Sequence, residues 1–231
     1  MILFALLAGC ASPSVKSGGG AGAIVFLSDF GVEDASVAVV KGTMFSIDAQ
    51  VQVIDLTHQV PAFSIEDAAR FLKNASQAFP PGTVFLASVD RQRTGKSKGL
   101  VVKTKKGHFF VVPNNGLVSA VEARDGVDEA REIVAGPWVK AASLRSTFLA
   151  RDVYAPIAAR IARGEDWTQV GPIVGGIEKV ELKSQKVSSR GVDGEVVAID
   201  GPFGNLITNI TSTSLLSAGY SLGDKVGVRI G

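Results

Sequence analysis

Hydrophobic residues in this chain form short blocks, and their spacing alternates between that of strands and that of helices. The block at 23–28 (AIVFLS) is continuously apolar, which is typical of a strand buried on both faces of a parallel sheet. Between 35 and 47 the apolar residues recur at helical spacing. Segments 51–56 and 83–89 are predicted strands, and the capping box at 64–67 predicts a helix between them. This order predicts a mainly parallel α/β sheet.

The pattern changes towards the carboxyl terminus. Segments 99–105 and 108–112 predict a hairpin, and 155–163 predicts another helix. After about residue 171 short β-rich runs are separated by Gly, Asp and Ser, and they predict a small all-β domain over 171–231. The predicted strands of that domain are 194–199, 206–210 and 225–230. We therefore predict an α/β domain over 23–170 that is followed by this smaller domain.

The first 22 residues have the pattern of a lipoprotein signal and tether. Residues 1–8 are apolar, Leu7-Ala8-Gly9-Cys10 fits a bacterial lipobox, and 11–22 is rich in Ser, Gly and Ala. Lipidation of Cys10 would anchor the protein in the cell envelope. No positive charge precedes Cys10, however, although signal peptides normally begin with one. The alternative is that residues 1–22 have no role and that the protein is cytoplasmic.

Composition excludes some classes of function. A net charge of +2 over 231 residues, with no basic stripe, argues against nucleic-acid binding. Cys10 is the single cysteine, and the two histidines, His58 and His108, lack the spacing of metal ligands, so no metal site is expected. We predict that His58 makes a structural hydrogen bond and that His108 is exposed at the start of a strand.

Polar residues follow three of the predicted strands, where ligands of parallel α/β sheets bind. The first strand is followed by Ser28, Asp29, Asp34 and Ser36, the second by Asp55 and His58, and the third by Asp90. Carboxylates at such an edge can accept hydrogen bonds from ribose hydroxyls or an ammonium group. They can equally cap helices and turns. Two further polar turns, at 113–117 and 200–205, are typical of structural turns.

Six segments in this order resemble one family. They are SDFGVEDASVAVVKG at 28–42, DLTHQV at 55–60, FPPGTVF at 79–85, VPNNGL at 112–117, STFLARD at 146–152 and IDGPFGNLITNI at 199–210. Together they are similar to the S-adenosylmethionine (SAM) hydroxide adenosyltransferases, or SAM hydrolases, and to the related fluorinases and chlorinases. The resemblance implies an α/β domain, a small β-barrel, a homotrimer and SAM as substrate without a separate cofactor. The reaction is displacement of methionine from C5′ by water or halide.

The resemblance also implies roles for individual residues. Asp29 matches the position that binds the ribose hydroxyls, and Phe63 matches an aromatic residue that packs over the ligand. The remaining substrate-binding positions hold the methionine part of SAM, and they are Asp34, Ser36, Asp200 and Asn205. Asp90 matches the aspartate of an Asp-Arg-His set that holds and activates water.

The chain departs from the family at the other two members of that set. Ser97 stands at the arginine position, with Lys98 beside it, and Leu149 stands at the histidine position. Leucine can neither accept nor donate a proton. In place of the serine that binds halide in the halogenases this chain has Ala150. The predicted catalytic residues are accordingly Asp90, Arg93 and Lys98.

Three functions remain open at this point. The first is SAM hydrolysis to adenosine and methionine, the second is non-catalytic binding of SAM or adenosine by an envelope lipoprotein, and the third is SAM-dependent halogenation. The family's second domain also continues beyond the position of residue 231, so we expect a shortened β-barrel here.

Overall fold

The computed structural model describes residues 22–90, 98–181, 185–201 and 203–230, apart from the side chain of Asp200. The chain divides into two compact units, of which the first ends at Val180 and the second begins at Glu181. Within the described residues, no helix has the length and apolar character needed to cross a bilayer.

A six-stranded sheet forms the centre of the first unit. Its strands are Ile24–Ser28 (β1), Val53–Thr57 (β2), Val84–Ser88 (β3), Gly99–Thr104 (β4), Phe109–Pro113 (β5) and Val127–Glu132 (β6). The spatial order is β2-β1-β3-β5-β4-β6, and only β4 runs against the other strands. The predicted mainly parallel sheet and the predicted hairpin of β4 and β5 are both confirmed.

Helices cover both faces of this sheet. They are Ser36–Ile47 (α1), Ile65–Ala75 (α2), Ser119–Asp125 (α3) and Ala155–Ala162 (α4). The helix α2 begins where the sequence predicts, because the Ser64 side chain accepts a hydrogen bond from the backbone N–H of Asp67. Alternate residues of β1 point to opposite faces, so Ile24 and Phe26 pack with α1 and α4, whereas Val25 and Leu27 pack with α2 and α3. The domain therefore has three layers.

The first unit extends about ten residues further than the predicted boundary near residue 171. Segment 171–180 packs along the first unit, since the N–H of Val174 donates to Ala130 O at 2.9 Å. The N–H of Val180 donates to Ser119 Oγ at 3.0 Å. These bonds attach the segment to β6 and α3, and the strand β6 itself was not predicted from the sequence.

The second unit contains two hairpins and a short helix. Lys186–Ser188 (β7) pairs with Gly191–Asp193 (β8), and Val196–Asp200 (β9) pairs with Asn205–Thr208 (β10), both antiparallel. Ser212–Ser217 (α5) is capped by Thr211, whose side chain accepts from the N–H of Ser214.

The expectation of a shortened all-β barrel needs correction for the described part of this unit. Each strand pairs only with its neighbour in sequence, so the two hairpins form separate sheets, and a helix is present. Residues 225–230, predicted as a strand, have no strand structure. A run of alternating apolar residues becomes a strand only where a partner strand supplies its hydrogen bonds.

Candidate active site at the carboxyl edge of the sheet

The parallel strands of the first unit end at one edge, and the polar segments predicted from the sequence follow three of them. Ser28 and Ser88 lie opposite one another at the ends of β1 and β3. Asp29 directly follows β1, and Asp90 lies two residues beyond β3. The two predicted carboxylates therefore leave neighbouring strands at the same edge, which is where ligands bind in open α/β sheets.

Asp29 fixes the loop that carries Phe63. The backbone N–H of Phe63 donates to Asp29 Oδ2 at 2.9 Å. Phe63 has a φ of +63°, which no other non-glycine residue in the described part of the chain approaches, and its side chain is exposed. A positive φ in a bulky residue is strained, and such strain is often found at ligand sites. The structure thus places the predicted ribose-binding residue in contact with the predicted aromatic residue.

Beneath this loop lies a chain of four polar side chains. Ser28 Oγ is 2.8 Å from His58 Nδ1, His58 Nε2 is 3.1 Å from Asp55 Oδ1, and Lys41 Nζ is 2.6 Å from Asp55 Oδ2. Ser28 is fully buried, so its hydroxyl cannot reach a ligand, and the arrangement holds α1, β1 and β2 together. The predicted structural role of His58 is confirmed.

Asp55 carries the negative charge among these four side chains. Although burial opposes ionisation, the ammonium of Lys41 and the imidazole of His58 hold the pKa of Asp55 below its usual value. Asp55 therefore remains an anion at neutral pH and orients the His58 ring beside Ser28.

Asp34 and Ser36 lie at the start of α1. The backbone N–H of Ser36 donates to Asp34 Oδ1 at 2.7 Å, and this hydrogen bond lowers the pKa of Asp34. Asp34 is exposed and Ser36 is partly buried. Their contact lies just before the first turn of α1, and the binding role assigned to them by resemblance stays a prediction.

A π-helix over Ala150–Tyr154 lies next to the end of β1. The ring of Phe148, just before it, meets the ring of Phe30 edge to face at 5.5 Å. Its start is fastened by Ser146, whose hydroxyl donates to Asp152 and whose oxygen accepts from the N–H of Phe148 at 3.0 Å. Short π-helical turns are rare, and those that do occur are frequently found at functional sites. Ala150 is buried and Leu149 is partly buried, so the two positions that depart from the family are apolar here.

A cavity of about 220 Å³ opens beside the π-helix. Its walls include Gly99 at the start of β4, Glu132 at the end of β6, and Leu149, Val153 and Tyr154. Since β4 runs against the other strands, its first residue and the last residue of β6 lie at the carboxyl edge. The cavity therefore shares this edge with Asp29 and Asp90.

The polar groups of the cavity are few. Lys98, exposed at its rim, places Nζ 2.9 Å from Glu132 Oε2. Burial and the negative charge of Asp90 raise the pKa of the Tyr154 phenol. The predicted catalytic residue Lys98 thus lies at the rim of this cavity, and the predicted catalytic residue Asp90 lies at the same edge of the sheet. Tyr154 on the cavity wall was not predicted from the sequence.

Two further sequence predictions have clear outcomes. Asn115 in the turn at 113–117 donates from Nδ2 to Val89 O at 2.9 Å, which ties β5 to β3 and fits the predicted structural role. The prediction that His108 is exposed was wrong. His108 is only 3% exposed, its Nε2 is 3.0 Å from Phe79 O, and its ring packs edge to face with Phe85.

Several predicted site residues cannot be located in the same way. Cys10, Arg93 and Ser97 lie outside the described residues. Asp200 and Asn205 face each other in the register of β9 and β10, and Asn205 is exposed. The described residues include no group of three or more His, Cys, Asp or Glu side chains that could hold a metal ion.

A three-layer α/β domain with acidic residues and a cavity at the carboxyl edge of its sheet defines a class of ligand-binding α/β protein. The model of one family, described as the SAM hydroxide adenosyltransferase N-terminal domain, matches residues 24–171. The chain belongs to this family, whose members are SAM-cleaving enzymes.

Individual relatives agree with this assignment. The chain is 32% identical over 230 residues to a fluorinase from Actinopolyspora mzabensis, covering 89% of this chain and 77% of the relative. It is 33% identical over 204 residues to an (R)-S-adenosyl-L-methionine hydrolase from Salinispora arenicola, covering 86% and 76%. The crystal structure of an uncharacterized conserved protein from Thermotoga maritima has a TM-score of 0.84 and 36% identity, covering 90% of this chain and 79% of that chain.

Proposed function

We propose that this protein is a SAM hydrolase that cleaves SAM at C5′ with water and forms adenosine and methionine. The observation that carries this proposal is the position of Asp90, which lies two residues beyond β3, at the same edge of the sheet where Asp29 follows the neighbouring strand β1. The site thus provides a carboxylate for the nucleophile beside the carboxylate that matches the ribose-binding position. Relatives named as SAM hydrolases support the choice of reaction.

The chemistry asks little of the protein beyond alignment. In SAM the sulfonium is already a good leaving group, so the protein must place a water molecule opposite the C5′–S bond and keep bulk water away. The water oxygen bonds to C5′, the C5′–S bond breaks, and its electron pair goes to sulfur. Asp90 accepts the proton released by the water. Leu149, Val153 and Ala150 supply the apolar surroundings.

The other predicted residues bind the substrate. Asp29 accepts hydrogen bonds from the ribose hydroxyls, and Phe63 packs over the ligand. Asp34, Ser36, Asp200 and Asn205 bind the methionine part. Lys98 contributes positive charge at the rim of the cavity, with Arg93 as a further predicted contributor. We also propose that SAM serves as substrate with no separate cofactor.

The test is incubation of the full chain with SAM in chloride buffer, followed by mass spectrometry of the products. Adenosine with methionine supports the proposal, and Asp90→Asn should abolish it. Asp128→Asn is the matched control, because Asp128 is an exposed carboxylate on β6 whose partner is Lys103. Its turnover should equal that of the wild type.

Other outcomes identify the alternatives. Formation of 5′-chloro-5′-deoxyadenosine would make the protein a halogenase. Calorimetric binding of SAM that Asp29→Ala weakens, without any product, would make it a non-catalytic SAM-binding protein. Turnover that survives Asp90→Asn would contradict the role of Asp90.

We further propose that the protein assembles as a homotrimer. Support comes from apolar side chains of the first unit that are exposed in the single chain, namely Val32, Val39, Phe45, Ile54 and Phe63. Exposed apolar groups of this kind mark interaction surfaces. Light scattering during size-exclusion chromatography should give three times the chain mass of 24.0 kDa, and a monomer would contradict the proposal.

Lipid anchoring in the cell envelope through Cys10 is a separate proposal, supported by the lipobox sequence and the tether that follows it. In the native host, radiolabelled fatty acid should be incorporated into the wild type and not into Cys10→Ser. Absence of label, with the protein recovered in the cytoplasmic and not in the periplasmic fraction, would show that it is cytoplasmic. SAM is a cytoplasmic metabolite, so that second outcome would place the protein with its substrate.

A further inference from the structure

Phe63 occupies a turn position that seldom suits a bulky residue. The turn runs over 61–64 and is closed by the N–H of Ser64, which donates to Pro61 O at 2.9 Å. Phe63 is the third residue of this turn and has a φ of +63°. A positive φ at that position normally selects glycine or asparagine. Phe63 is 51% exposed, so burial in the core does not account for an aromatic residue there.

Two hydrogen bonds join the loop before this turn, and the turn itself, to the segment that follows β1. The first is a backbone bond, in which the N–H of Gly31 donates to His58 O at 2.7 Å. The second involves a side chain, since the N–H of Phe63 donates to Asp29 Oδ2 at 2.9 Å. The carboxylate of Asp29 and the backbone of Phe63 are therefore held side by side.

The bond from Asp29 acts on the strained residue itself. A hydrogen bond from a backbone N–H to a carboxylate is stronger than one between neutral groups. Strained backbone conformations persist only where the surrounding structure holds them. Asp29 is partly exposed, and an ionised carboxylate has about four positions that accept hydrogen bonds. The bond to Phe63 therefore leaves other positions of the same carboxylate for the hydroxyl groups of a ligand.

We propose that Asp29 is a positioning residue for Phe63 as well as a binding residue for the ribose. Its Oδ2 holds the backbone of Phe63 in the strained conformation, which keeps the aromatic side chain at the place where the carboxylate binds hydroxyl groups. This inference rests on the ribose-binding role of Asp29 in the proposed function. Its consequence is that the two residues contribute to ligand affinity as a unit, because loss of Asp29 also removes most of the contribution of the ring.

The test is a double-mutant cycle for the binding of adenosine to the full chain, measured by calorimetry. Adenosine carries the ribose hydroxyls and does not react during the measurement. We expect Asp29→Ala to weaken binding by about 100-fold and Phe63→Ala to weaken it by about 10-fold. The double variant should bind about 100-fold more weakly than the wild type, whereas independent contributions would give about 1,000-fold.

Two further variants accompany the cycle. Asp48 also accepts a backbone N–H, that of Gln50 at 2.9 Å, and it lies at the carboxyl end of α1, away from the positions assigned to substrate. Asp48→Ala should therefore leave adenosine affinity unchanged, both alone and together with Phe63→Ala. Phe63→Gly removes the ring and the strain, whereas Phe63→Ala removes only the ring. The glycine variant should accordingly have a Tm about 2–4 °C above that of the alanine variant.

The remaining outcomes separate this inference from the function on which it rests. A loss of about 1,000-fold in the double variant would overturn the positioning role of Asp29, even if SAM is hydrolysed. A glycine variant whose Tm does not exceed that of the alanine variant would also overturn it, as would a wild type that binds no adenosine. A non-additive cycle in a protein that binds adenosine but does not cleave SAM would support this inference and overturn the hydrolase proposal.

Discussion

The carboxylate of Asp125 should contribute measurably to the stability of the first unit, and its contribution should depend on pH. The side chain is fully buried at the end of α3, where Arg124 contacts it and Lys106 Nζ lies 2.9 Å from Oδ1. Arg124 also donates to Lys73 O and to Ser76 Oγ at the end of α2. The carboxylate thus orients the cation that joins the two helices.

The size of the effect follows from the pKa of Asp125. The hydrogen bond from Arg124 has the largest effect and lowers this pKa, whereas burial acts in the opposite direction. Lys106 lowers it further, so that the pKa falls from 3.8 to about 2. One pKa unit corresponds to about 1.36 kcal/mol, so the ionised form contributes about 2 kcal/mol to the free energy of unfolding at neutral pH. Because the pKa is lowered on folding, the contribution is complete above the unfolded value of 3.8 and is lost as the pH falls through about 2.

Asp125→Asn removes this contribution. We expect the variant to lose about 2 kcal/mol at pH 7, and its difference from the wild type to shrink by about 1 kcal/mol at pH 3. Urea unfolding followed by tryptophan fluorescence suits the measurement, because Trp138 and Trp167 both lie in the first unit. The control is Asp128→Asn, which breaks the half-exposed ion pair with Lys103. It should lower the free energy of unfolding by about 1 kcal/mol or less.

Two results would refute this reasoning. One is an Asp125→Asn variant as stable as the wild type at pH 7, which would mean that the ion pairs with Arg124 and Lys106 add nothing to stability. The other is a difference in stability that stays constant between pH 7 and pH 3. That result would trace the loss to altered packing and not to the charge.

Two further substitutions test the framework of the site in the same fluorescence assay. Ser28→Ala leaves His58 Nδ1 buried without its partner and should lower the free energy of unfolding by about 1–3 kcal/mol. The control Ser46→Ala, which removes an exposed hydroxyl on α1, should change it by less than about 0.5 kcal/mol. Equal effects of the two substitutions would contradict the importance of the buried contact. Gly171→Ala should lower the free energy of unfolding by more than about 2 kcal/mol, because φ at Gly171 is +152° and a Cβ there would lie 2.1 Å from Glu132 O. Gly175→Ala, with open space around it, should be neutral, and a Gly171→Ala variant of wild-type stability would refute the predicted clash.

Much of the first unit could be predicted from the sequence because its signals are local. The buried run at 23–28, the helical spacing at 35–47 and the cap at Ser64 each depend on residues close together in the chain. The positions of Asp29 and Asp90 at strand ends follow from the same pattern. The six family segments were enough to predict the family, and their order along the chain made the resemblance specific.

Other features depended on contacts between residues far apart in sequence. The strand β6 (VDEARE) is mostly polar and pairs because β4 offers it a partner, whereas 225–230 reads as a strand and has none. His108 is buried because the backbone oxygen of Phe79 meets its Nε2 and the ring of Phe85 packs against it.

The cavity is the clearest case of a feature that only the tertiary structure decided. From the sequence, Leu149 is the loss of a histidine, and Tyr154 lies just before the predicted helix at 155–163 with no predicted role. Tyr154 lies at the end of the π-helix, and the close approach of Gly99 helps to fix its ring on the cavity wall. The sequence determines which groups are available, but hydrogen bonding and packing across the sheet determine which of them meet.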